Sequence, residues 1–319
     1  MYTWKNVRAM AEKFKLNEKK FSDLESFFAV LDPEFFRHCS TLVTGDFPVD
    51  AVKEHFLEDD QYRFLLLVSV MNYPVMEEYY RSNGFPDVMF KEISGDLSVW
   101  MKTMDSDLGF YGLTWRIFGW VQACLKGEIK QFGRLQCNDI HEFAIDKTFF
   151  RNDRGKLEFV QGKQQLDLPA VVRLHDPCIN LHIPAIGPLN YDACVDSIKS
   201  MVNFSLKFHP DYDFRAVVCY SWLLDTQFQT LLPDSNISQF QKLGHLFDIP
   251  DRNQDQEIRW RLWGAKARDG KLATDELECR STIQKKVIDL WRKGGHFTEG
   301  GLIIFRDELA ALGCDNIDR

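Results

Sequence analysis

The 319-residue chain has no CxxC pair and no cysteine and histidine at zinc-finger spacing; its eight cysteines, at positions 39, 124, 137, 178, 194, 219, 279 and 314, are widely scattered. That pattern excludes a sequence-evident zinc module and a small disulfide scaffold, and it predicts reduced thiols. Long apolar runs are also missing. The longest largely apolar stretch, Phe64 to Met71, falls far short of the ~20 residues that a membrane span needs, and the N-terminal MYTWKNVRAMAEKFKLNEKK has no apolar leader core. A cytoplasmic protein without a membrane partner is expected. Basic charge is in short supply: 39 Lys and Arg face 47 Asp and Glu, a net charge of −8, so phosphate neutralisation offers no overall drive toward nucleic acid. Glycine (19) and proline (11) are sparse, which excludes collagen-like, low-complexity and disordered classes.

Motifs are absent as well. The chain carries no GxxxxGK[ST], no GxGxxG after a strand, no GxSxG and no HExxH, which removes the sequence support for NTPases, dinucleotide enzymes, hydrolase elbows and zincins. His141-Glu142 and His296 with Glu299 come nearest to metal ligands, but they stand isolated in sequence and no metal site is expected.

What the chain does have is aromatic mass, with 26 Phe and 8 Trp, which suits deep cores or an apolar ligand tunnel better than a flat charged surface. At roughly 150 residues per domain the length predicts two domains. From Met1 to about Lys130 apolar residues recur at three and four, punctuated at Asp32-Pro33, Gly45-Asp46-Phe47-Pro48, Tyr73-Pro74 and Asn83-Gly84-Phe85-Pro86, so residues 1–128 read as a helical domain. One helix starts after Thr114, carries Ile117, Trp120, Val121 and Cys124 on one stripe, and stops near Gly127.

Over 129–319 the period moves toward two. Phe132, Arg134, Leu135 and Cys137 open a strand, Asn152-Asp153-Arg154-Gly155 marks a turn before Leu157 to Val160, and Val171 to Leu174 leads to the Asp176-Pro177 turn. Ile179, Leu181 and Ile183 then alternate with Asn180 and His182, predicting a half-buried strand with His182 opposite the apolar face. A helix over Tyr191 to Phe208 capped by Asn190, a strand over Phe214 to Cys219, and a helical stretch to Leu232 follow. Pro250 to Glu257 reads as a polar surface loop, Ile258 to Leu262 as an alternating strand, Ser281 to Arg292 as a helix, and Gly301 to Phe305 as a last short strand. The fold class expected is α/β (α+β), a helical N-terminal domain followed by a mixed sheet with helices on its faces.

Two segments carry candidate chemistry. The loop Ile183-Pro184-Ala185-Ile186-Gly187-Pro188-Leu189-Asn190 joins a strand to a capped helix, so its N–H groups can meet an anion such as a pyrophosphate, and Pro184 interrupts the ladder to a neighbouring strand. The second is Cys219-Tyr220-Ser221-Trp222, at the carboxyl end of a strand, where α/β sheets put ligands. His182 is the candidate base, with Tyr220 and Ser221 as proton or hydrogen-bond donors. The blander readings are a structural strand histidine and a packing Trp222.

Asn180-Leu181-His182-Ile183-Pro184-Ala185-Ile186-Gly187-Pro188-Leu189 and Cys219-Tyr220-Ser221-Trp222-Leu223-Leu224-Asp225 resemble the signature stretches of a bacterial acyltransferase-domain family with a helical N-terminal domain and a GNAT-like C-terminal domain. Leu231 to Ile237 with Phe240-Gln241, and Phe132 to Gln136, resemble two further blocks. The resemblance implies an acyl-CoA-dependent N-acyltransferase using acetyl-CoA or another acyl-CoA and a small-molecule or peptide amine acceptor. It further implies that the strands ending at His182-Ile183 and at Cys219 splay to admit the pantetheine arm, with Ile183, Ala185, Gly187, Leu189 and Asn190 as cofactor-binding positions. The loop departs from the Gln/Arg-x-x-Gly-x-Gly/Ala pattern of GNAT enzymes, and Tyr220 stands where the family often has His, which leaves a tyrosine as general acid for the leaving thiolate. A non-catalytic GNAT-like scaffold that binds acyl-CoA or a protein partner is the alternative, and a hydrolase with Ser221 or Cys219 as nucleophile is the third reading.

Overall fold

A computed structural model describes Arg8 and residues 18–152, 154–162 and 170–314, with side chains in the first helix from residue 22 onward. Most of the N-terminal MYTWKNVRAMAEKFKLNEKK segment, and Asp153 of the expected turn, lie outside the described residues. The chain divides into two compact units, 1–131 and 132–319.

In the first unit the described residues form helices α1 (Glu18–Ala29), α2 (Pro33–Thr41), α3 (Val49–His55), α4 (Glu58–Ser82), α5 (Asp87–Leu108) and α6 (Trp115–Leu125). Asp32 starts α2, its carboxylate accepting from the N–H groups of Glu34 and Phe35, with Pro33 at the first helical position where no N–H is needed. The break expected at Tyr73-Pro74 does not occur: α4 runs straight through Pro74. An internal proline costs about 3 kcal/mol, and here it is outweighed by the burial of Phe64 to Val70, Tyr73, Met76 and Tyr80, at about 1.5–3 kcal/mol for each large apolar side chain. Helix α6 follows Thr114 as the periodicity predicts, although the Thr114 hydroxyl faces Met104 Sδ at 4.0 Å and makes no cap. Among the described residues no helix is long and apolar enough to cross a membrane.

The second unit is built on a six-stranded sheet of order β1-β2-β6-β7-β9-β8, comprising β1 (Lys130–Phe132, which begins in the last residues of the first unit), β2 (Leu135–Glu142), β6 (Pro177–His182), β7 (Ala216–Ser221), β8 (His245–Asn253) and β9 (Thr298–Phe305). Only β6 and β7 run parallel among the pairs described. Helix α7 (Tyr191–Phe208) makes the crossover between them, capped by Asn190, whose Oδ1 accepts from Ala193 N–H at 3.2 Å. A second sheet, β4-β3-β5, contains β3 (Lys147–Arg151), β4 (Leu157–Gln161) and β5 (Ala170–Val172). Phe149 of β3 enters the core of the main sheet, 5.3 Å from Phe247 and 6.0 Å from Phe305 between ring centres. Helices α8 (Gln227–Leu231), α9 (Asn236–Phe240), α10 (Asp255–Trp263), α11 (Ala265–Arg268) and α12 (Thr282–Arg292) complete the unit. Phe228, Ile258, Val287 and Phe297 form a separate small core among these helices.

Several local expectations need correction. Strand β6 is buried along most of its length on both faces rather than on one, because α7 and the second sheet each contribute to a core beside it. Residues 258–262 are helical: Ile258 and Trp260 are the buried pair on α10, and five alternating residues are too few to separate period two from a helix in which Arg261 lies over Trp260. The polar segment Pro250 to Glu257 is not a loop; its first part finishes β8 and its last part opens α10. The helical stretch expected to Leu232 is divided at Asp225 into a 3-10 turn, Trp222–Leu224, and the short α8.

Candidate functional site

Strands β6 and β7 stay in register from Cys178↔Ala216 to Leu181↔Cys219, and their pairing stops there. β7 continues for two more residues against β9, with Tyr220↔Gly301 and Ser221↔Gly300, while β6 keeps Gln136↔His182 on its β2 side. The two central strands therefore part just where Pro184, which has no N–H, follows β6. Beyond the parting lies the loop to α7. Ile186 N–H donates to Pro184 O and Asn190 N–H to Pro188 O, whereas the N–H groups of Ala185, Gly187, Leu189, Tyr191 and Asp192 have no acceptor among the described residues. Gly187 adopts φ +57°, a conformation that favours glycine. These open donors sit at the positive end of an 18-residue helix, an arrangement suited to a phosphate.

Sequence reasoning passed over the residue that shapes this loop. Arg134, in the β1–β2 turn, donates from Nε to Pro188 O (2.9 Å), from Nη1 to Pro184 O (3.1 Å) and from Nη2 to Gly187 O (3.4 Å). Its guanidinium gathers the loop carbonyls to one side, and burial lowers its pKa from the ordinary arginine value. Ser197 on α7 fixes the turn, its Oγ accepting from the N–H groups of Arg134 and Leu135 at 3.0 and 3.3 Å and donating to Ala193 O at 2.8 Å. Arg134 lies within the Phe132 to Gln136 block that resembles the family, but nothing in its spacing links it to a loop 50 residues downstream, so only the tertiary structure reveals that contact.

His182 lies at the end of β6 with Nε2 2.7 Å from Asn138 Oδ1 on β2. An amide oxygen accepts, so Nε2 carries the proton and Nδ1 is the basic nitrogen of the neutral ring. Burial, assisted by the nearby His141, pushes the His182 pKa down to about 4, so the ring is neutral at neutral pH. Tyr220 occupies the equivalent place at the end of β7, its hydroxyl accepting from Ala144 N–H at 3.4 Å and its ring beside Phe143 and Phe247. Burial raises its pKa well above that of a free phenol. Ser221 has a different occupation: its Oγ accepts from Leu223 N–H at 3.2 Å and caps the 3-10 turn. Cys219 is buried and its thiol is pushed far up by burial, the opposite of what a thiolate nucleophile requires.

Asp225, at the end of that turn, is buried and holds the region together. Its Oδ1 accepts from Gln227 N–H (2.9 Å) and its Oδ2 from Thr298 N–H on β9 (2.8 Å). Of the residues considered for a metal, His296 Nδ1 lies 2.7 Å from Asp255 Oδ2, Glu299 accepts from Arg252, and Glu142 Oε2 lies 3.0 Å from His175 Nδ1.

The family model of the GNAT-like C-terminal domain matches residues 129–303, more than half of the chain. The chain belongs to this family. Its GNAT-like domain thus contains the parted strands, the loop 183–190 and the Tyr220 segment. Among solved structures, an acyltransferase in complex with decanoyl-CoA is similar at 20% identity and a TM-score of 0.68, over 93% of this chain and 86% of that one. An acyltransferase in complex with decanoyl-CoA and teicoplanin matches at 19% identity and a TM-score of 0.67, over 94% and 87%. A third, an acyltransferase mutant in complex with octanoyl-CoA, matches at 20% identity and a TM-score of 0.67, over 93% and 87%. At these identities the likeness is one of fold, and it extends over the helical N-terminal region as well as the GNAT-like domain. No curated protein matches the chain.

Proposed function

We propose that the protein is an acyl-CoA-dependent N-acyltransferase, moving an acyl group from CoA to the amine of a small-molecule or peptide-like acceptor. The observation that carries the reading is the end of β6–β7 pairing at Leu181↔Cys219, directly before a loop whose open N–H groups stand at a helix N-terminus. An extended pantetheine arm needs backbone partners of the first kind and a pyrophosphate needs donors of the second. The CoA-bound acyltransferases of the same fold agree with it. On this reading Ile183 borders the arm, Ala185, Gly187 and Leu189 turn N–H groups toward the phosphates, Asn190 caps the helix that receives them, and Arg134 holds the loop in that shape.

In the reaction the amine nitrogen bonds to the thioester carbonyl carbon and the C–S bond breaks, with one proton passing from the amine and one reaching the departing sulfur. His182 is assigned the first proton, at Nδ1. A base this weak cannot deprotonate a free ammonium; it takes the proton only once the C–N bond has formed and the nitrogen has become strongly acidic. Tyr220 stays protonated across the physiological range, so it serves the leaving sulfur as a hydrogen-bond donor. Ser221 shapes the turn behind the site. The rings of Phe143, Phe149 and Phe247 form a closed core on the same face and brace Tyr220 from behind.

The experiment is a thermal-shift titration with acetyl-, octanoyl- and decanoyl-CoA, followed by thiol detection with a pool of primary amines. A ligand at ~100 times its Kd stabilises by about 2.7 kcal/mol, enough for a shift of several degrees. Stabilisation together with amine-dependent CoA release is expected. Stabilisation without release from any amine would favour the scaffold reading, to which the weak basicity of His182 lends support; no stabilisation by any acyl-CoA would overturn both.

A further inference from the structure

The β2–β6 pair carries a row of polar side chains on the face where Cys178, Ala216 and Val218 enter the core. Gln136 lies opposite His182 and Asn138 opposite Asn180, and the contact between Asn138 and His182 shows that all four point to one side. Asn180 is the anomaly among them. It is 7% exposed, and its Oδ1 is sealed from solvent with no donor among the described residues. Buried amide oxygens in native proteins are almost always paired, because an unpaired one forfeits its hydration for nothing. An oxygen left waiting two residues from His182, beside the point where β6 and β7 part, has the position of a ligand contact.

Resting on the acyltransferase reading above, we propose that Asn180 binds the acceptor substrate, its Oδ1 accepting a hydrogen bond from the N–H of a primary amine and holding that nitrogen beside His182. The chemistry asks for a donor, and the thioester carbonyl is only an acceptor. N–H donors come from two sources, the acceptor amine and the amides of pantetheine. The amine is favoured because Asn180 lies in the part of β6 that is still paired to β7, with its side chain standing out of the sheet plane, whereas an arm between the strands meets backbone beyond Leu181. The neutral His182 ring suits an amine that arrives as its neutral free base, the form able to attack the thioester.

The test uses the full chain and Asn180→Leu, which keeps the volume and removes the oxygen. Three quantities are read: the melting temperature without ligand, the affinity for CoA, and the apparent KM for n-butylamine with octanoyl-CoA. The expected result is a melting temperature equal to or above the native one, CoA affinity within twofold, and an amine KM raised about tenfold or more, the worth of one buried hydrogen bond. A fallen melting temperature with an unchanged amine KM would mean that Asn180 holds a structural water, and a tenfold loss of CoA affinity would assign it to pantetheine; either overturns the proposal. A second arm needs no CoA. The side-chain amide signal of Asn180 in a proton–nitrogen correlation spectrum, identified by its loss in Asn180→Leu, is followed during titration with n-butylamine. Its movement supports the amine site even if acyl-CoA fails to bind, and an unmoved signal alongside firm acyl-CoA binding sinks the site while sparing the acyltransferase reading.

Discussion

Gly301 of β9 sits directly across from Phe247 of β8 and from Tyr220 of β7. The Phe247 ring lies over the glycine, so that a methyl group placed on Gly301 would stand 2.1 Å from Cζ and 2.3 and 2.5 Å from the two Cε atoms. Carbon atoms cannot approach that closely, and the ring has little room to retreat: Phe247 is 2% exposed, with Phe149 5.3 Å away and Phe143 and Tyr220 at 6.3 and 6.4 Å between ring centres. Gly301→Ala is therefore an overpacking substitution, expected to cost about 1–3 kcal/mol. At ~2–4 °C per kcal/mol for a unit of this size, the melting temperature should fall by about 2–12 °C. Phe247→Ala alone should cost about 3–5 kcal/mol through the cavity it leaves. In the double variant the new methyl group enters that cavity, so its cost should vanish and the coupling energy should equal the whole penalty of Gly301→Ala. Urea unfolding of the four proteins supplies the cycle. A Gly301→Ala protein within 0.5 kcal/mol of native, or a double variant that is simply additive, would refute the reasoning.

Acidification should act through the half-buried His182: its folded pKa of about 4 lies below the ordinary 6.5, so between those two pH values the unfolded chain takes a proton that the folded one refuses. The contribution to stability is complete above pH 6.5 and falls by about 3 kcal/mol on descent to pH 4, a loss that urea titrations should find greatly reduced in His182→Asn. Seven of the eight cysteines are buried and only Cys279 is exposed, and burial pushes Cys39 and Cys194 up to about 11 and Cys178 to about 12. A thiol reagent should accordingly find one fast equivalent in the native protein and eight after denaturation; a second fast thiol would contradict the packing described.

The helical character of the first unit, its helix α6, and α7 and α12 of the second were readable because their signals are local: a stripe at three and four, an Asn190 that caps its own next turn, a glycine just past the end. The loop 183–190 was readable for the same reason, since strand, proline, glycine and capped helix are contiguous. Where neighbours decide, local signals failed. Pro74 lies inside a helix because the surrounding side chains are buried, and residues 258–262 are helical although they alternate, because the core behind α10 takes Ile258. The chemistry at His182 divides in the same way. Its residue type and its place at a strand end belong to the sequence, but its tautomer comes from Asn138, 44 residues away, and its lowered basicity comes from burial.

Sequence alone thus determined which segments become helix or strand where periodicity and capping agree, and which short loop leads from a strand into a capped helix. The tertiary structure decided the rest: that β6 and β7 part after Leu181, that Arg134 reaches across 50 residues to gather the loop carbonyls, and that the Asn180 oxygen is left without a donor. Hydrogen-bond satisfaction and burial are properties of what surrounds a group in space, and no spacing along the chain records them.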